Sequence, residues 1–206
     1  MMRKSHMIVF LAAAAAILTV SCVLARDRGT WVLEVFPAFI GVPILVLTFK
    51  RFPLTRLLYA LIVVHVIIIA VGGIYTYAEV PLGFWMEDWF GFTRNHYDRI
   101  GHFAQGFIPA LVVREILIRT SPLRPGKWLG FLTVCVCLSV SAFYEFVEWW
   151  VTVWKGSSAE AFLGSQGDVW DAQWDMFMAL IGATVSVLVM AKIHNRFLRK
   201  EIGMDL

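Results

Sequence analysis

Charge is what this sequence has least of. Only 16% of its 206 residues are Asp, Glu, Lys or Arg, whereas 59% are hydrophobic. A soluble domain carries about 25% charged residues, so a surface that faces water all round is excluded. Cysteine is scarce as well. Cys22, Cys135 and Cys137 all fall in apolar runs; with no C-x-x-C pair they form no disulfide framework and read as small core residues. There is no internal repeat, no low-complexity stretch and no separate soluble domain. No Ser nucleophile elbow, H-E-x-x-H or phosphatase signature is present, and nothing points to nucleic acid.

Long apolar runs are what the chain does have. Mean hydropathy is +0.72, and several runs reach about 18 residues, the length that crosses roughly 30 Å of hydrocarbon. The reading is an all-α polytopic membrane helix bundle. It forms one domain over 1–206, with the lipid bilayer as its solvent. Six transmembrane helices are expected at about 7–24, 31–49, 57–77, 99–118, 128–154 and 172–192. Pro37, Gly41 and Pro43 predict a kink in the second. The first run, with Arg3 and Lys4 ahead of it, also fits a signal peptide cleaved after Ala25. A second apolar run only a few residues later favours a retained span.

Lys and Arg placement sets the orientation. With both termini cytoplasmic, twelve of the eighteen fall on inner segments. Arg26, Arg28, Arg94, Arg99 and Lys155 fall outside, and Arg114 sits at the inner end of the fourth helix. Tryptophan supports this: every Trp except Trp128 lies on or near the outer side, where a half-buried ring with a wet N–H is favoured. Segments 78–98 and 155–168 are expected in that interface, the former as a Gly/Pro-punctuated turn or lid.

Ionisable residues recur at one depth of the outer half. Asp98 and His102 are four apart and share a helix face with Gln105. Glu145 and Glu148 are three apart on the fifth helix, and Asp168, Asp171 and Asp175 recur at three and four before and along the sixth. A charge near hydrocarbon is a functional-site hypothesis. Six acids together repel, so protons, a bound cation or an arginine must relieve them. Carboxylates suit Mg²⁺, Ca²⁺ or Mn²⁺, and an added His suits Zn²⁺ or Fe. The bland alternatives are helix caps at Asp98 and Asp168 and polar struts between helices for the rest. Glu34 is placed to join the pocket or to mark the interface with Trp31. Tyr144 is expected on another face, His65 as a satisfied buried histidine, His96 and Tyr97 as loop residues. Arg114 and Glu115 are expected to snorkel or pair in the headgroup layer.

Tyr-Asp-Arg-Ile-Gly-His-Phe (97–103), Tyr-Glu-Phe-Val-Glu-Trp (144–149) and Gln-Gly-Asp-Val-Trp-Asp-Ala-Gln-Trp-Asp-Met (166–176) resemble the YjdF-type bacterial inner-membrane proteins over essentially the whole chain. That resemblance implies no activity. The order of the motifs also resembles VanZ-like membrane proteins, which open on Asp-Lys-x-x-His-Phe, carry a glutamate helix and end on a late Asp motif. Here Asp98-Arg99 and His102-Phe103 match with Arg for Lys and one extra residue between. Glu145 or Glu148, and Asp171 or Asp175, stand at the later motifs. Both resemblances imply a small helical bundle with an outward polar pocket.

Three functions fit. The first is an enzyme acting on a lipid or lipid-linked head group with a divalent metal ion. Its ligands would be Glu145, Glu148, Asp171, Asp175 and His102; His102, Glu145 and Asp175 would act in catalysis; Arg94, Arg99 and Asp98 would bind substrate, an arginine gripping phosphate. The second is a proton- or ion-coupled transporter. The third is a non-catalytic binding or assembly protein.

Overall fold

The computed structural model describes residues 4–156 and 164–205. Its helices are α1 (Lys4–Leu24), α2 (Arg28–Glu34), α3 (Phe36–Thr48), α4 (Arg56–Tyr75), α5 (Pro81–Phe90), α6 (Tyr97–Thr120), α7 (Lys127–Lys155) and α8 (Asp171–Phe197). A 3₁₀ turn covers Tyr77–Glu79, and a π-helical turn at Leu198–Ile202 extends α8. No strand occurs among the described residues. α1, α4, α6, α7 and α8 are each long and apolar enough to cross a membrane. α2 and α3, bent by 50° at a short break, supply a sixth crossing if taken as one span. The protein is an all-helical membrane bundle.

The expected second helix (31–49) is thus two. Asp27 caps α2, its Oδ1 accepting from Thr30 N at 2.6 Å. Pro37, in the first turn of α3, has no N–H to carry the ladder across Val35. Segment 78–98 is not only a turn. Pro81 starts α5 and Gly91, at φ +69°, ends it in the left-handed region. Trp85, Trp89 and Phe90 stand exposed on α5, as suits a helix lying in an interface. α8 continues past the expected end at 192 to Phe197. Residues 157–163 of the segment 155–168 lie outside the described residues, as does Arg3.

Polar contacts define two ends of the bundle. Tyr77 N donates to Glu34 Oε1 beside the start of α6, whereas Thr55 N donates to Glu115 Oε1 near its finish. Asp98 and Glu115 are 17 residues apart on α6, about 25 Å at 1.5 Å per residue. Near the Glu115 end, Met7 and Phe10 of α1 pack with Leu54, Leu58, Tyr59 and Leu111. Trp149, Trp150, Trp154, Trp170 and Trp174 are exposed on the parts of α7 and α8 nearest Asp98, an aromatic girdle at that end. Trp31 is not part of it. It is 7% exposed and its indole N–H donates to Ser21 Oγ at 3.0 Å, tying α2 to α1.

α6 and α8 form the closest helix pair. A Cβ on Gly106 would lie 2.0 Å from Ala179 O, and one on Gly182 would lie 2.1 Å from Phe103 O. Ala110, Ala179, Ala183 and Ser186 are fully buried along the same seam. With lipid outside as apolar as the core, such small residues let backbones meet and dispersion do the work.

Candidate functional site

The Asp98 end is assembled by a strap of hydrogen bonds. Asn95, 1% exposed, donates from Nδ2 to Val80 O at 2.9 Å and accepts from Tyr97 N at 3.0 Å. Its backbone pairs with the Gln166 amide in both directions, at 3.0 and 2.8 Å. Gly83 leaves room for it; a Cβ there would lie 1.6 Å from Asn95 Oδ1. The strap fixes Arg94 and Asp98 against the segment leading into α8. His96 lies in the loop, as expected, whereas Tyr97 does not. Tyr97 opens α6 with its hydroxyl on Ile68 O at 2.9 Å, and His96 sits edge-on to Phe92. Partial burial, then Arg94 and Arg99, push the His96 imidazole below its ordinary pKa.

Arginine relieves most of the acidic repulsion. Arg99 forks onto α8, bonding Asp175 with Nη1 and Asp171 Oδ1 with Nη2 at 2.7 Å. Asp168 and Asp98 stand 3.5 and 3.9 Å from the same guanidinium. Arg94 adds contacts of 2.9 Å to Asp171 and 3.3 Å to Asp168. Such bidentate geometry is what a guanidinium offers and an ammonium does not. Asp168 serves twice, since its Oδ1 also accepts from Trp170 N at 2.9 Å just before α8. So Arg94, Arg99 and Asp171, expected as substrate and metal residues, are brought together with one another.

His102 stands between two sets of acids. Its Nε2 lies 3.5 Å from Asp98 Oδ1 and 3.8 Å from Asp175 Oδ1; its Nδ1 lies 3.8 Å from Glu145 Oε1. One ligand atom from each of Asp98, His102 and Asp175 falls within 4.8 Å of the others. Glu145 is on the opposite side of the ring from that trio. His102 Nδ1 and Glu145 Oε1 are buried without a hydrogen-bond partner, a costly state that native proteins rarely keep without a use.

Beside His102 opens a cavity of about 360 Å³ between α3, α4, α6 and α7. Glu34, Tyr77, Asp98, His102, Tyr144 and Glu148 line its polar part; Val42, Leu45, Ile62, Ile108 and Val112 are among its apolar walls. Tyr144, expected on another face, lines it: it is four residues before Glu148 and so shares that face. His65 is also in the wall. Tyr77, which the sequence reading did not single out, is slotted between two glycines. A Cβ on Gly72 or Gly101 would come within 2.3 or 2.6 Å of its ring. Thr76, at φ +64°, makes the strained turn that aims Tyr77 N at Glu34. Burial, with Glu34 alongside, pushes the Tyr77 hydroxyl well above its ordinary pKa.

The Glu115 end contrasts. Arg114 and Glu115 do not snorkel; they are 3% and 0% exposed. Glu115 accepts from Thr55 N and Oγ1 at 3.2 and 3.0 Å and from Arg119 at 2.8 Å, and meets His194 Nε2 at 3.0 Å. Arg114 reaches His194 Nδ1 at 3.0 Å and Asn195 Oδ1 at 2.6 Å. Arginine only donates, so Nδ1 accepts and the imidazole proton is on Nε2, given to Glu115. None of these four ionisable side chains has a buried atom without a partner. This is a strut; at the Asp98 end, by contrast, His102 Nδ1 and Glu145 Oε1 lack partners.

A family model described as "Predicted membrane protein (DUF2238)" matches residues 6–196. The chain belongs to this family. The DUF2238 protein is 52% identical to "Inner membrane protein YjdF" of Escherichia coli (strain K12) over 176 residues, which cover 85% of this chain and 84% of that one. With its spans and this relative, it is an integral protein of the bacterial inner membrane. No solved structure matches it. The VanZ-like order of motifs rests on the residues alone.

Proposed function

We propose that this DUF2238 protein is an enzyme of the outer leaflet that acts on the head group of a lipid or lipid-linked molecule with a divalent ion. The observation that carries this is the unpartnered pair His102 Nδ1 and Glu145 Oε1, of which His102 lines an apolar-walled cavity. Asp98, Asp175 and His102 Nε2 would hold the ion. Glu145 would then accept the proton on Nδ1, the carboxylate–histidine–metal arrangement that orients a ligating imidazole. Such an ion would supply polarisation of a phosphoryl or carbonyl group or acidification of a water. Glu148, in the cavity wall, would be placed to take up a released proton. Arg94 and Arg99 hold the α8 acids in place rather than gripping substrate. The Lys and Arg asymmetry supports an outer position for this site.

A transport path is less well supported, because Leu58, Leu111 and the Glu115–His194 pair fill the other end. A purely structural role leaves the orphaned pair without a reason. The test is elemental analysis of the purified full chain after exposure to Mg²⁺, Mn²⁺ or Zn²⁺. Stoichiometric metal is expected in the natural protein and not in His102→Asn or Asp98→Asn. Metal-free natural protein, with variants that melt as it does, would sink the reading.

A further inference from the structure

We propose that the cavity selects a primary ammonium group on its lipid-anchored ligand. This rests on the reading of the cavity as a head-group site and names the chemistry of that group.

The cavity is short of positive charge. Three carboxyl groups line it, from Glu34, Asp98 and Glu148, and no Lys or Arg is among its described lining residues. The two nearby arginines do not line it and pair with Asp168, Asp171 and Asp175, with Arg94 Nε left unpartnered. An independent sign comes from Glu34. It is 3% exposed; Oε1 accepts from Tyr77 N at 3.3 Å, and Oε2 is buried with no partner. Glu34 is a lining residue of the cavity, and this second oxygen is left to take an N–H or O–H from the ligand.

The shape around it is built. Tyr77 is clamped between Gly72 and Gly101 and tilts against Tyr97, with ring centroids 5.6 Å apart. With Tyr144 it gives the acidic corner two aromatic walls, which also favour a cation. A phosphate alone would meet carboxylates and no free guanidinium. A trimethylammonium has charge but no N–H, so Glu34 Oε2 would stay unsatisfied. A primary ammonium brings three donors. In a zwitterionic lipid it would settle on Glu34 and Glu148, while the phosphate would turn toward the divalent ion that Asp98, His102 and Asp175 would hold.

Native mass spectrometry of the full chain tests this, using ethanolamine, choline and glycerol phospholipids with identical acyl chains. Long-chain alkylamine and alkyltrimethylammonium serve in a parallel thermal-shift arm, which separates the amine from the rest of a phospholipid. The ethanolamine lipid should be retained over the choline lipid, and the alkylamine alone should raise the melting temperature. Glu34→Gln should weaken retention by about tenfold, the scale of one charge-assisted hydrogen bond lost; Glu148→Gln should weaken it too. Equal retention of all three lipids, or preference for the anionic one, overturns the ammonium assignment and leaves the head-group reading standing. Retention of none overturns both. The natural-protein arms need no variant to fold.

Discussion

Gly106 of α6 faces Ala179 of α8 so closely that a Cβ on the glycine would lie 2.0 Å from the alanine carbonyl oxygen. Gly182 meets Phe103 O in the reciprocal way, at 2.1 Å. Gly106 is two turns from Arg99, and Gly182 is two turns from Asp175. The seam therefore fixes the helix separation across which Arg99 reaches Asp171 and Asp175. Packing of the smallest residues and placement of the most charged ones are one fact of geometry.

Gly106→Ala and Gly182→Ala should each destabilise the bundle. The obstructing atoms belong to helix backbone, which has no rotamer with which to move aside. Overpacking costs about 1–3 kcal/mol, and these contacts belong at the upper end. Thermal melting in detergent reads it. Gly41→Ala is the control: nothing lies within 4 Å of a Cβ there, and its melting should hold or rise slightly because alanine is the better helix former. Equal melting of all three variants would refute the seam.

Arg99 joins two carboxylates through two different nitrogens, so lysine should not replace it. Arg99→Gln leaves Asp171 and Asp175 facing each other with only Arg94 nearby. Removing one partner of a buried ion pair costs about 3–5 kcal/mol. Arg99→Lys should recover a minor part of this, since an ammonium cannot fork. The double variant Arg99→Gln with Asp175→Asn should be more stable than Arg99→Gln alone, because the stranded charge is gone. A double-mutant cycle on melting measures the coupling; additive effects would show that the two side chains do not act together.

Spacing made much of the site legible. Asp98 with His102, Glu145 with Glu148, and Asp171 with Asp175 each repeat at helical intervals, and apolar length set the spans. What spacing cannot give is which face meets which. Asp98 and Arg99 are neighbours in sequence, yet the arginine's partners lie 72 and 76 residues away on α8. Nothing local marks it as the clamp of the α8 acids. Tyr144 was readable, being one turn from Glu148, but was eclipsed by its neighbour Glu145. His194 was lost to a boundary: the apolar pattern stops near Lys192, whereas packing carries α8 to Phe197 and brings His194 onto Glu115. α5 was hidden because Gly and Pro read as turn residues, although here they cap a helix.

The two polar ends should respond oppositely to neutral substitution. At the Glu115 end Arg114, Glu115, Arg119 and His194 have no buried atom without a partner, so Glu115→Gln or His194→Ala strands a buried group and should cost about 1–3 kcal/mol. Metal and lipid binding should survive wherever the variant folds, because Glu115 is about 25 Å from Asp98 along α6. At the other end, Glu145→Gln removes an acceptor that has no hydrogen bond to lose. Melting should be unchanged or improved, as is common when a strained functional group is neutralised, while metal retention falls because His102 loses the carboxylate that orients it. Melting curves and metal content measured on the same preparations give four numbers. A Glu145→Gln protein that melts low and keeps its metal would make that carboxylate a strut like Glu115, and the cavity would lose its catalytic reading.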